Sequence, residues 1–145
     1  MKKFAIGLLV CWTVMQGMAA KTAQWLTDLP AAQAKAKAEN KLVMMDFTGS
    51  DWCGWCIKLN KEVFSTPEFA EYAAKNLVLV EVDFPNKKPQ TAQLKAANKA
   101  LEAQYKVQGY PTIIVLNGDG KQVGELGYQP GGPKPFIEEL TKLKK

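Results

Sequence analysis

The chain has 145 residues, 47% hydrophobic, 10% aromatic and 23% charged, with a formal net charge of +5. That length and near-average composition describe one globular domain and argue against disorder or a collagen-like fibre. All 19 basic residues are lysine and histidine is absent, which excludes histidine-based catalysis, arginine phosphate forks and His-ligated metal sites.

Lys2 and Lys3 precede an apolar run from Phe4 to Met15, and Gly17-Met18-Ala19-Ala20 follows with small residues. This is the charged, apolar and small-residue order of an export signal, and the run falls short of the roughly 20 apolar residues of a membrane span. Cleavage after Ala19 places Gly17 and Ala19 at the small-residue positions. The expectation is a signal peptide over residues 1–19 and a single domain over 20–145, periplasmic or secreted, with no stable membrane insertion after cleavage. Val10 is too bulky for Cys11 to be a lipoprotein cysteine. The remaining 126 residues carry 17 lysines against 14 acids, a net +3. That excess lacks the concentrated, arginine-bearing face of a nucleic-acid binder.

Asp28 caps a predicted helix that Leu29 and Pro30 open and the alanine-rich stretch to Glu39 continues. Leu42 to Phe47 reads as a strand apolar on both faces, the pattern of a sheet covered on each side by helices. A loop from Thr48 to Asp51 leads into Trp52-Cys53-Gly54-Trp55-Cys56 and a helix with a stripe at Cys56, Leu59, Asn60, Val63 and Phe64. Pro67 restarts helix through Lys75, and Leu77 to Phe84 is the second strong strand. After a polar loop, Thr91 to Tyr105 is helical with Leu94, Ala97, Leu101 and Tyr105 on one face. Gly109-Tyr110-Pro111 breaks the chain before a strand from Thr112 to Leu116. Asn117 to Gly120 is a hairpin turn into Lys121 to Leu126, and a helix from Phe136 to Lys144 ends the chain. The order αβααβαββα predicts an α/β domain with a mixed central sheet flanked by helices on both faces.

Two cysteines remain after residue 19, and they form one C-x-x-C at the start of a helix. Two intervening residues bring both sulfurs together across the first turn. The first cysteine meets unpaired N–H groups and the positive end of the helix dipole, which stabilise its thiolate. Cys53 is therefore expected to be an exposed nucleophile, and Cys56, facing inward, the thiol that resolves a mixed disulfide. A zinc site needs about four ligands where this motif offers two, and haem attachment needs histidine where Ile57 stands. A static bridge usually closes a longer loop, where its entropic gain is larger.

These residues resemble the thioredoxin superfamily. The resemblance rests on Val43 to Phe47 leading into Trp52-Cys53-Gly54-Trp55-Cys56, then Gly109-Tyr110-Pro111-Thr112 and Gly124 to Gly127. Thr48 to Cys56 is especially similar to small exported bacterial thioredoxin-like proteins. The resemblance implies a thioredoxin fold, a cis-proline at Pro111 facing the active pair, and a Tyr110 backbone available to an extended client. It also implies that Asp46 is a buried acid that helps deprotonate Cys56 through a water. Trp52 and Trp55 flank Cys53 as a client platform, Trp55 being the better contact.

Three departures from that pattern matter. The loop between Asp46 and Cys53 is one residue longer, Glu81 stands where thioredoxin carries lysine, and the inter-cysteine dipeptide is Gly-Trp. Two carboxylates near one site repel and raise one pKa, favouring a shared proton. The reading is a thiol–disulfide oxidoreductase, with reductase, oxidase and isomerase all open. No cofactor is required beyond the cysteine pair. Its partners are cysteine-containing proteins and a separate redox partner that resets the pair, and the chain is expected to be a monomer. The rival readings are a copper(I)-binding module built on the two thiolates and a client-binding chaperone using the same surface.

Overall fold

The computed structural model describes residues 22–144, so the signal-peptide expectation for residues 1–19 lies outside the described residues. Five strands and five helices are present among them, in an order that adds one short strand to the sequence expectation. That strand, β1 (Trp25–Leu26), is two residues long and pairs with β3 alone. Its signal is non-local, so no periodicity could announce it.

Helix α1 (Leu29–Glu39) begins where Asp28 accepts the Ala31 N–H and ends where Asn40 turns left-handed. Strand β2 (Leu42–Thr48) is buried at all seven positions, as expected of a central strand apolar on both faces. Helix α2 (Gly54–Leu59) runs into a π-helical turn, Asn60–Phe64, closed by a hydrogen bond from the Ser65 N–H to the Asn60 carbonyl. The wider turn leaves Asn60 exposed while Leu59, Val63 and Phe64 stay in the core, so Asn60 does not belong to the apolar stripe. Helix α3 (Pro67–Asn76) is capped by Thr66, whose hydroxyl accepts the Phe69 N–H.

Strand β3 (Leu77–Asp83) lies parallel to β2, and helix α4 (Ala92–Gln104) follows. The only buried residue of α4 is Asn98, which donates to the Asp83 carbonyl at 3.0 Å, whereas Ala97 faces solvent. Strands β4 (Thr112–Leu116) and β5 (Gln122–Leu126) form the expected hairpin, with Gly120 at positive φ in its turn. Helix α5 (Pro133–Lys142) starts three residues before the predicted start, because Pro133 fits a first turn that needs no N–H donor.

The sheet order is β1-β3-β2-β4-β5, with β1, β3 and β2 parallel and β4 and β5 antiparallel. This is the thioredoxin fold. Side-chain alternation divides the core. Met44, Leu79, Ile113 and Val115 pack under α2, α3 and α5 with Leu59, Phe69, Phe136 and Leu140. Val43, Met45, Phe47, Val80 and Ile114 pack under α1 and α4 with Ala32 and Ala36. Each fully buried large aliphatic or aromatic side chain contributes about 1.5–3 kcal/mol, so both layers are needed to fix the central strand.

Candidate active site

Strand β2 delivers the chain to the top of the sheet, and the loop from Gly49 to Trp52 carries it to Cys53. That loop is pinned at three points. The Asp51 carboxylate accepts the N–H groups of Asn86, Lys87 and Lys88 at 2.9, 2.7 and 2.9 Å. Asp83 accepts from the Ser50 N–H and hydroxyl. The Trp52 indole N–H donates to the Phe84 carbonyl at 2.7 Å. Trp52 lies so close over Gly49 that a Cβ there would collide with its ring, which accounts for the glycine. The loop is thus fixed by contacts with the end of β3 and the β3–α4 loop.

Cys53 is the N-cap of α2, and its sulfur accepts the Cys56 N–H at 3.2 Å. The two cysteines are bonded to each other with Cα atoms 5.2 Å apart. Cys53 is 7% exposed and Cys56 4%, so Cys53 is the more accessible sulfur but not the openly exposed one expected. The reason is its surroundings. It is tied to Cys56 on one side and lies 3.8 Å from the Tyr110 carbonyl on the other. A disulfide sulfur has no proton to donate, so this second approach is a contact rather than a hydrogen bond.

The Tyr110–Pro111 peptide bond is cis and lies at the entrance to β4. The Tyr110 ring stacks on Phe84, with centroids 5.3 Å apart, and meets the Trp52 ring edge-on at 6.0 Å. Its hydroxyl donates to Glu102. Burial, followed by that bond, pushes the phenol well above its ordinary pKa. On the opposite side, Trp55 is 58% exposed and rests against Tyr128 at 5.0 Å. Trp52, at 46%, and Ile57, at 48%, are the other exposed large hydrophobic residues among the described residues, each next to a cysteine in the chain.

Asp46 is buried on β2, and its Oδ1 has no hydrogen-bond partner among the described residues. A cleft of about 400 Å³ is lined by Asp46, Thr48, Cys56, Asn60, Glu81 and Lys88, so the acid and the inner cysteine share one space. Loss of hydration raises the Asp46 pKa to about 8, helped by the charges of Glu81 and Asp83. Glu81 is only partly buried, and its own carboxyl is raised by burial and by Asp83 while Lys88 opposes the shift. Asp46, not Glu81, is therefore the buried acid.

All seven residues singled out from the sequence gather here: Asp46, Trp52, Cys53, Trp55, Cys56, Tyr110 and Pro111. Sequence reasoning missed Lys58 on α2 itself, and Phe84, Tyr128 and Glu62, which arrive from other elements. Asp51 alone had a local signal, an acid beside Trp52 in a loop too long for its pattern.

Comparison with known proteins agrees with this geometry. Residues 29–143 match the family model described as a thioredoxin-like domain. The chain is 37% identical over 128 residues to the disulfide bond reductase DsbH of Chlamydia pneumoniae, covering 88% of this chain and 76% of that protein. It is 34% identical over 121 residues to the thiol:disulfide interchange protein DsbD of Vibrio cholerae, covering 81% of this chain but only 18% of that longer protein. A solved structure titled DsbH oxidoreductase superposes with a TM-score of 0.82 at 36% identity, covering 89% of both chains. With its cysteine pair bonded at the mouth of this fold, the chain belongs to the thioredoxin-like family and is a thiol–disulfide oxidoreductase.

Proposed function

We propose that the chain works as an exported, periplasmic or secreted reductase of protein disulfides. Cys53 is the nucleophile, Cys56 the resolving thiol and Asp46 the acid–base group. The observation that carries thiol–disulfide exchange through Cys53 is its sulfur at the α2 N-cap, accepting the Cys56 N–H at 3.2 Å. The same amide and helix terminus favour a thiolate when the pair is reduced. The name of the DsbH relative supports the reductive direction.

In the forward direction the Cys53 thiolate attacks one sulfur of a client disulfide. The client S–S bond breaks, one client sulfur leaves as thiolate, and the other becomes bonded to Cys53. Cys56 then gives its proton to the Asp46 carboxylate and attacks Cys53, expelling the second client thiolate. Two electrons pass from the pair to the client, and the Cys53–Cys56 bond forms. Burial lifts the Asp46 carboxyl to about 8, toward the range of thiols, so its carboxylate is basic enough to take the Cys56 proton. The pair itself carries the electrons, with no further cofactor.

Clients are cysteine-containing proteins met in extended form. Trp52 and Trp55 supply apolar contact, and the chain at Tyr110 and Pro111 lies beside an approaching strand. The protein acts as a monomer, and a separate protein or small thiol returns the pair to its dithiol state.

The test is the reduction potential of the pair, obtained by equilibration with glutathione and followed through tryptophan emission. A value near the reducing end, roughly −270 mV, is the expected result. One between about −120 and −180 mV would assign the chain to oxidation or isomerisation. A pair that does not exchange would remove the enzymatic reading of this site.

A further inference from the structure

The exposed ring beside the disulfide is met by a tyrosine ring and a lysine. Trp55 stands in the two-residue turn between the sulfurs, with most of its surface in solvent. It has no structural duty of the kind that fixes Trp52, whose indole N–H is bonded to Phe84 and whose ring covers Gly49. Yet Trp55 is packed against neighbours. Tyr128, in the segment between β5 and α5, meets it at 5.0 Å with the planes tilted by 44°. Lys58 Nζ lies 5.2 Å from the Trp55 centroid and 5.2 Å from the Tyr128 centroid. Glu62 accepts the Tyr128 hydroxyl at 2.8 Å and stands 4.0 Å from Lys58. An aromatic ring and a cation thus meet one exposed indole, and Glu62 ties those two groups to each other.

We propose that Tyr128, with Lys58 and Glu62, is a positioning cluster that holds Trp55 as the specificity-determining wall for an apolar side chain beside a client's cysteine. The inference rests on the proposed function, because it assumes that clients reach Cys53 past Trp55. A free indole would lose rotamer freedom each time a client docked, and restraint by Tyr128 and Lys58 removes that loss before binding. Trp52 and Trp55 flank the nearly covered Cys53 in the chain and are themselves exposed, so they offer a client apolar contact beside the sulfur it must reach. The occupant that fits is an extended polypeptide with a branched or aromatic residue next to its cysteine. Loosening the ring should therefore weaken selective binding roughly 5–10-fold.

The test uses two disulfide-linked synthetic peptides, one with leucine and one with glycine flanking the cysteine, reduced by the full chain with dithiothreitol as electron source. The wild-type KM for the leucine peptide should be about 5–10-fold below that for the glycine peptide. Tyr128→Ala should bring that ratio near one through KM rather than kcat, while Tyr128→Phe, which keeps the ring, should retain most of it. Because Tyr128 acts through Trp55, the Trp55→Ala/Tyr128→Ala double variant should select no less than Trp55→Ala alone. If Trp55→Ala loses the ratio while Tyr128→Ala keeps it, Tyr128 does not position the wall and the inference is overturned. Additive losses in the double variant overturn it equally. A Trp55→Ala protein that still prefers leucine removes the wall itself, a failure belonging to the underlying client reading and distinguishable from the other two.

Discussion

Asp46 and Glu81 are register partners on the neighbouring parallel strands β2 and β3, so their side chains share one face of the sheet and one cleft with Cys56. Lys61 and Lys88 line the same cleft, and Asp83 follows Glu81 on the same face of β3. The buried acid thus faces two carboxylates and two ammonium groups, with desolvation the largest influence on its proton.

The first consequence concerns stability. Asp46 binds its proton more tightly folded than unfolded, so its contribution is fully present below the unfolded value near 3.8. It is then lost as pH rises toward about 8. Each tenfold difference in proton affinity is worth about 1.4 kcal/mol, so at pH 7 an oxidised Asp46→Asn protein should be more stable by roughly 2–4 kcal/mol. Urea denaturation at pH 4, 6 and 8 should show that advantage growing with pH. A constant difference between the two proteins would mean that Asp46 does not titrate in this window.

Glu81 sets where that window closes. Its charge raises the Asp46 pKa, so Glu81→Gln should lower the midpoint of the Asp46-dependent change. The measurement is the pH dependence of client-linked Cys56 attack in single turnover, compared between wild type and variant. The base limb should move toward lower pH. An unmoved limb would assign the acid's proton affinity to burial and Asp83 without Glu81.

Much of this site could be read from the sequence because its chemistry is local. The spacing of Cys53 and Cys56 fixes both the sulfur separation and the helix start, and Leu42 to Phe47 has no polar interruption until Asp46. The cluster around Trp55 was not legible, since Tyr128 and Glu62 gain meaning only when β5 and the π-helical turn are folded against α2. For β1 the obstacle was its brevity, since two residues carry no period. Ala97 was placed on the apolar face of α4, yet its neighbour Asn98 is the buried residue, its amide donating to the Asp83 carbonyl. Even the accessibility of Cys53 was misread, because the Tyr110 segment that covers it comes from the far side of the chain.

Resolution by Cys56 gives a covalent test. With Cys56→Ser, the first attack proceeds but the mixed disulfide has no internal thiol to release it. Incubation with an oxidised client should yield a Cys53–client adduct visible by intact-mass spectrometry and removed by dithiothreitol. Cys53→Ser should yield none. Equal adducts at both positions would reverse the assignment of roles.

Asp51 should govern the loop before the nucleophile. Its three amide partners hold its carboxyl below the ordinary value, led by the Asn86 N–H. That contribution is present above the unfolded pKa and lost as pH falls through the lower folded one. Asp51→Ala should accelerate hydrogen exchange at Asn86, Lys87 and Lys88 at pH 7, with β2 amides little changed. If the three amides keep wild-type protection, the clamp is not what orders this loop.

Gly49 tests the same loop from inside. A methyl group there meets the Trp52 indole, which cannot retreat without releasing its hydrogen bond to the Phe84 carbonyl. Overpacking of this kind typically costs about 1–3 kcal/mol. Gly49→Ala should therefore lower the denaturation midpoint and shift tryptophan emission to the red as Trp52 moves outward. Because Trp52 also braces Tyr110, which in turn lies against Cys53, the variant should slow client reduction as well as lose stability. Unchanged emission with unchanged stability would show that the loop accommodates the methyl without moving Trp52, and that the ring is not wedged against Gly49.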